Sequence, residues 1–238
     1  ITYEKITITE NDKITFTMTT CNRLDTTIKT LESLEKFNYL DQVSKIIIMI
    51  DCFNSTFYET LLTDYPHFTF IFPNSSEKKR KNVRLMHNLQ QLFEMVDTKW
   101  WFHCEDDWEF VAPGFIENSL NVLSDPHKND SIYMIIGRKP NSFKPYVDDK
   151  FGWHQTTTGS MYSVLKINAG PAGKFSSYTA NPAILDVSAT REIIGNFSNY
   201  RGEYDVSYKL GKRHGSRVGI FKEHYYHHLG DGKSTMGR

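Results

Sequence analysis

The sequence predicts an α/β fold, a largely parallel β-sheet with helices on both faces, and three observations carry that expectation. Short β-rich runs recur at Ile14 to Met18, Lys45 to Ile50, Phe68 to Phe72, Trp100 to Cys104 and Ile132 to Ile136. Stretches of helical length separate them, which is the rhythm of βαβ units. Polar and charged residues collect where each run ends, on the side where open α/β sheets bind their ligands.

Each element has a local reason. After the first run, Asp25 to Phe37 places Thr27, Leu31 and Leu34 at helical spacing, with Asp25 as N-cap and Asn38 past the end. The second run closes on Asp51 and Cys52, and the third on Pro73, Asn74 and Ser75 before the charged stretch Glu77 to Lys81. A second helix is expected over Lys81 to Val96, where Val83, Leu85, Leu89, Leu92, Phe93 and Val96 share one face. The fourth run ends on Glu105, Asp106 and Asp107, ahead of a helix that starts near Pro113, and the fifth on Gly137, Arg138 and Lys139. From Pro140 to Pro182 the pattern loosens. Helices then follow over Ser188 to Ile194 and Tyr204 to Gly211, a strand over Arg217 to Phe221, and an irregular end from His224 to Arg238. No internal repeat or low-complexity tract interrupts the chain, and the second half reads as an extension of the same sheet.

Composition narrows the function classes. The 238 residues hold 28 basic and 28 acidic side chains, so no global field draws in nucleic acid or an anionic membrane, and any phosphate site must be a local cluster. No apolar run approaches the roughly 20 residues that cross a bilayer, and Ile1 to Asn11 is unlike a signal peptide, so a soluble chain is expected. The start at Ile1 suggests that an anchor or further domains of a larger multidomain protein lie outside the sequence. Cys21, Cys52 and Cys104 are odd in number, show no C-x-x-C spacing and read as reduced, half-buried thiols, which favours a cytoplasmic setting. The sequons at Asn54, Asn74, Asn129 and Asn196 point the other way, but arise easily in a chain rich in Asn, Ser and Thr.

The strongest chemical signal is Trp100-Trp101-Phe102-His103-Cys104-Glu105-Asp106-Asp107. An apolar strand that runs into three consecutive carboxylates concentrates like charges at one spot, and a hard divalent cation such as Mn²⁺ or Mg²⁺ relieves them. The alternative is a solvated acidic turn that caps the following helix.

At this cluster the sequence resembles glycosyltransferases of the GT-A fold, particularly the family-2-like group of nucleotide-diphospho-sugar transferases. Those enzymes carry a D-x-D or E-D-D motif at a strand end, and the resemblance implies Asp107 as first metal ligand, with Glu105 beside it and Asp106 on the ribose or donor sugar. Thr19 to Arg23 resembles the loop that opens the nucleotide pocket, so Thr20, Asn22 and Arg23 would line it. Asp51 matches the second-strand acid that binds the base, and Lys81, Asn82 and Arg84 match a basic or Asn-containing helix start beneath the nucleotide. Lys78 and Lys79 read equally well as a solvated loop. The block Gly202-Glu203-Tyr204-Asp205 through Leu210, Gly215 and Val218 is similar to the family's acid-containing helix start; Glu203, then Asp205, would be the base that deprotonates the acceptor. A helix-start acid with a surface partner is the alternative there. The tail His224-Tyr225-Tyr226-His227-His228-Leu229-Gly230 matches a late metal-binding histidine, His228 before His227, against the commoner fate of a surface histidine.

The resemblance implies one GT-A-like domain over residues 1–238, with a mixed, mostly parallel sheet. About 1–140 form the nucleotide-binding half, and about 141–238 the acceptor-binding half and tail. It implies a nucleotide-sugar donor, a UDP-sugar ahead of a GDP-sugar, a glycan or glycoprotein acceptor, and inversion if Glu203 is the base. Trp108, Trp153, Tyr162 and Tyr178 are candidates to stack on sugar faces. The stretch Gly230 to Thr235 imitates the end of a Walker A loop, yet position 227 is His where Gly is required. Lys233 could still close over a donor diphosphate. Two other readings stay open. A sugar nucleotidyltransferase would carry a Gly-rich loop after its first strand, which Thr19 to Arg23 lacks, and a catalytically silent glycan-binding domain would need neither Asp107 nor metal.

Overall fold

The computed structural model describes residues 13–21, 23–51, 54–74, 81–125, 132–137, 152–164, 178–214 and 218–229, side chains 81 and 214 excepted. Strict alternation builds the centre of the sheet. In β1 (Ile14–Thr20), Ile14, Phe16 and Met18 enter one core with Trp100, Phe102 and Cys104 of β4 (Trp100–Glu105). That core lies under α1 (Leu24–Lys36), α2 (Ser55–Asp64) and α4 (Phe115–Ser124), which contribute Leu31 and Leu34, Phe57 and Leu61, and Phe115 and Val122. On the other face Trp101 meets α3 (Lys81–Glu94), α5 (Val187–Ile194) and α6 (Glu203–His214) through Leu89, Phe93, Val187, Val206 and Leu210. Both faces are covered, as expected.

With β2 (Lys45–Ile50), β3 (Thr69–Ile71), β6 (Met134–Ile136), β7 (His154–Gln155), β8 (Met161–Val164), β9 (Ala183–Asp186) and β10 (Val218–Phe221), the nine-stranded sheet runs β3-β2-β1-β4-β9-β6-β10-β8-β7. β1 pairs in parallel with β2 and β4, β2 with β3, and β6 with β10. β9 is antiparallel to both β4 and β6, and β8 to both β10 and β7, so every strand but β8 and β9 points the same way. Strands from both halves of the chain thus share one sheet.

Several expectations need correction. The loose stretch before Pro182 holds β7 and β8, and the sheet's central insert β9 follows it directly. The end after His224 is not wholly irregular, because β11 (Tyr226–His228) pairs with β5 (Trp108–Phe110) as a separate two-stranded ribbon. Asp25 sits in the first turn of α1; the cap position is Arg23, which makes no side-chain capping bond. α6 extends past Gly211 to His214. Cys104 is free and buried, but Cys21 is disulfide-bonded, which removes the ground for expecting a reducing compartment. Cys52 lies outside the described residues. No helix among the described residues is long and apolar enough to cross a membrane.

The threonines of β1 satisfy each other's buried neighbours. Thr17 Oγ1 accepts from Trp101 Nε1 at 2.7 Å and lies 2.9 Å from His103 Nδ1. Burial holds the His103 ring neutral and lowers its pKa to about 3, from an ordinary 6.5. The unfolded chain binds this proton and the native chain does not, so the stability His103 contributes is intact above about pH 6.5 and is lost as the pH falls from there toward 3. The loss amounts to roughly 1.4 kcal/mol per pH unit inside that window. Urea unfolding at several pH values checks this, with His103→Gln expected to flatten the curve by that slope.

The ribbon is held to the sheet by a close junction. Gly137 N donates to Tyr226 Oη at 2.8 Å, and Tyr225 N donates to Gly137 O at 3.0 Å. A Cβ on Gly137 would lie 2.9 Å from ring carbons of both Phe115 and Tyr225, two buried aromatic rings packed against each other. Rings cannot flex away as an aliphatic chain end can, so Gly137→Ala is expected to cost about 1–3 kcal/mol in urea unfolding and to loosen β11 with the histidine it carries.

Candidate active site

Three strand ends meet at one edge of the sheet. Register pairs Thr19 with Glu105 and Thr20 with Ile50, so Cys21, Asp51 and Asp106 begin their loops side by side. At Asp106 and Asp107 the chain leaves the sheet and enters β5, whose pairing with β11 sets His228 opposite Trp108 and His227 opposite Glu109. Leu229 N donates to Asp107 O at 2.8 Å and closes the ribbon over the acidic turn.

The three acids fare differently. Asp106 is turned inward and its side chain is 1% exposed. Its Oδ2 accepts from Thr20 Oγ1 at 2.7 Å and from Cys21 N and Arg23 Nε at 3.3 Å, while Oδ1 pairs with Arg23 Nη2. Thr27 Oγ1 completes the shell, 2.7 Å from Thr20 Oγ1. Burial pushes the Asp106 carboxyl up, against the pull of Arg23 and Thr20. The resemblance implies a ribose or sugar contact for this residue; in the structure both its oxygens are engaged by neighbouring groups of the chain.

Asp107 is the acid with capacity to spare. Its Oδ2 takes Arg23 Nη1 at 2.9 Å and His228 Nε2 at 3.2 Å, whereas its Oδ1 is buried with no hydrogen-bond partner among the described residues. An orphaned carboxylate oxygen beside an imidazole nitrogen is a donor set that suits a divalent cation. The His228 ring is held by Trp108, 4.8 Å away centroid to centroid. Arg23, one third exposed, therefore spans both acids, and their charges raise its pKa even though burial opposes this.

Glu105 and His227 do not join this group. The side chain of Glu105, on the Trp101 face of β4, shows no hydrogen bond or ion pair among the described residues, and burial, followed by Asp107, Glu203 and Asp106, pushes its carboxyl well above the usual range. His227, next to His228 on a strand, points the opposite way and pairs with Glu109 at 2.9 Å. Among the described residues no three His, Cys, Asp or Glu side chains form a metal cage, so a cation here would take its remaining ligands from a bound nucleotide or water.

Asp51 and Arg84 are brought together, Arg84 Nε lying 3.0 Å from Asp51 Oδ2, and Asp51 Oδ1 is buried with no hydrogen-bond partner among the described residues. Glu203 begins α6. Its Oε1 accepts from Thr179 Oγ1 at 2.6 Å and from Ala180 N at 2.7 Å. Asp205 is engaged elsewhere: its Oδ2 accepts from Arg201 N at 3.0 Å and Lys209 Nζ at 2.9 Å, and these partners lower its pKa despite partial burial. Trp108, Tyr162 and Tyr178 are core residues, unsuited to stacking on a ligand, and only Trp153 of the four aromatic candidates is exposed. Tyr204 and Tyr208, exposed on α6 beside Glu203 with centroids 6.0 Å apart, were not singled out by the sequence. Asn22 and Lys233 lie outside the described residues, as does the side chain of Lys81. Sequence reasoning also missed Thr27 and Thr179, whose type and position carry no signal that sets them apart from other threonines.

Solved structures share this fold. A mannosyltransferase from Pyrobaculum calidifontis, PcManGT, solved with GDP-Man and Mn²⁺, superposes with a TM-score of 0.56 at 13% identity. The chain has the GT-A glycosyltransferase fold. The match covers 87% of this chain and 56% of the mannosyltransferase, so the chain spans little more than half of that enzyme. A mycobacterial protein matches with a TM-score of 0.50 at 10% identity over 91% of this chain and 67% of its own. No family model and no curated protein matches the sequence.

Proposed function

We propose that the chain is a metal-dependent glycosyltransferase that moves a sugar from a nucleoside-diphosphate sugar to a hydroxyl acceptor. The observation that carries this is the buried Oδ1 of Asp107, which has no hydrogen-bond partner among the described residues, just past the carboxyl end of β4 on a carboxylate that also faces His228. The GT-A fold, shared with an enzyme whose structure holds GDP-Man and Mn²⁺, supports the same reading. A divalent cation held by Asp107 and His228 would supply positive charge to a departing diphosphate.

The chain's own residues do the rest. Asp51, fixed by Arg84, has one carboxylate oxygen left for a ring N–H, which uracil and guanine both offer, so a UDP- or a GDP-sugar fits. Asp106, Thr20 and Thr27 hold Arg23 where the phosphates would lie. Glu203 takes the proton of the acceptor hydroxyl, the oxygen forms a bond to the anomeric carbon, and the bond to the diphosphate breaks on the opposite face, so the product is inverted. Calorimetric titration of UDP- and GDP-sugars with and without Mn²⁺ tests the proposal. Mn²⁺-dependent binding of one of them is expected; no binding, or binding indifferent to the metal, would favour a silent glycan-binding domain.

A further inference from the structure

The acids at the end of β4 already have a cation. Arg23 forks across two carboxylates, with Nη2 and Nε on Asp106 and Nη1 on Asp107. Its backbone is fixed, since Arg23 O accepts from Thr27 N at 2.9 Å and Thr26 Oγ1 at 3.1 Å, while its side chain is one third exposed. Asp106 holds the guanidinium from within through a carboxylate that Thr20 and Cys21 N also fix. The contact to Asp107 is different, because it lands on the very oxygen that also faces His228 Nε2.

We infer that Arg23 is an internal counter-ion of the metal site: it neutralises Asp107 in the ligand-free chain from Oδ2, and its charge must move away when a divalent cation binds the same carboxylate. The inference rests on the metal-dependent reading above. A guanidinium and a divalent cation sharing one carboxylate repel each other, so the cation alone binds weakly. A nucleoside diphosphate changes the balance, because its oxygens accept the released guanidinium in a bidentate pair while they also ligate the metal. Metal and diphosphate therefore bind cooperatively, and the coupling passes through one side chain.

The test is Mn²⁺ titration, followed by calorimetry and by the Mn²⁺ electron paramagnetic resonance signal, in the absence and presence of UDP or GDP. In the native chain the nucleotide is expected to tighten Mn²⁺ binding by about tenfold or more. In Arg23→Gln, Mn²⁺ alone is expected to bind about tenfold tighter than to the native chain, and the coupling to shrink by the same factor. Because Arg23→Gln leaves Asp106 buried without its partner and can unfold, Arg23→Lys is the second variant. Lysine keeps one charge but cannot fork to both acids, so Mn²⁺ alone should still bind several-fold tighter. If nucleotide-supported Mn²⁺ binding stands but neither variant binds the metal alone any tighter, the counter-ion role is overturned and the metal site survives. If no Mn²⁺ binds to any form, with or without nucleotide, both readings fall.

Discussion

Asp107→Asn is expected to weaken Mn²⁺-supported nucleotide binding by more than about 100-fold, beyond the 10- to 100-fold that loss of an outer partner of a metal ligand costs. Sugar transfer should fall by about 10³-fold, as loss of several kcal/mol of charge stabilisation implies at roughly 1.4 kcal/mol per decade. The substitution keeps the shape of the side chain and leaves the Arg23–Asp106 pair in place, so unfolding free energy should move by no more than about 1 kcal/mol. Asp106→Asn makes the contrast. Asp106 is the buried member of the cluster, and breaking a buried ion pair from one side costs about 3–5 kcal/mol, so that variant should fail in folding first. Calorimetry with Mn²⁺ and urea unfolding on both variants separates the two acids. Metal dependence that persists in Asp107→Asn would remove Asp107 from the site.

Much of this site was legible because the physics that writes it is local. A strand that ends in a turn must switch from apolar to polar residues, and β2 and β4 do so at Asp51 and at Glu105 to Asp107. The roles within the acidic run were not legible, since three adjacent carboxylates are equivalent until the turn directs one inward to Thr20 and Thr27 and another toward His228. Alternation along a strand separates His227 from His228, but the sequence hides that strand: Tyr226 to His228 is short, polar at its tip and paired only with distant β5. β9 was missed for a similar reason. Its four residues follow Pro182, and only the company of β4 and β6 makes them a central antiparallel strand. The exposed faces of helices give the weakest signal, which is why Tyr204 and Tyr208 emerged only once α6 was seen to present them outward.

Glu203→Gln is expected to lower turnover by about 10²- to 10⁴-fold, the usual contribution of a general base, while nucleotide-sugar affinity stays unchanged. Two roles compete for this residue, and glutamine tells them apart. Glu203 Oε1 is the acceptor for Thr179 Oγ1 and Ala180 N, so the carboxylate also pins these two residues, just ahead of β9, against the start of α6. The amide oxygen of glutamine can accept both bonds but cannot take up a proton from an acceptor hydroxyl near neutral pH. Glu203→Ala removes both abilities and leaves Ala180 N–H without a partner, which should cost a further roughly 1–3 kcal/mol in unfolding. Asp205→Asn makes the comparison with the other candidate base: because Asp205 Oδ2 is committed to Arg201 N and Lys209, its turnover should stay within a few-fold of native. A base also leaves a mark on pH dependence: the acid limb of the native rate profile should vanish in Glu203→Gln, and the product made by the native chain should have inverted anomeric configuration by nuclear magnetic resonance. If Glu203→Gln keeps full turnover while Glu203→Ala unfolds easily, the carboxylate is a strut for the segment around Ala180, and a carboxylate base at this helix start is ruled out.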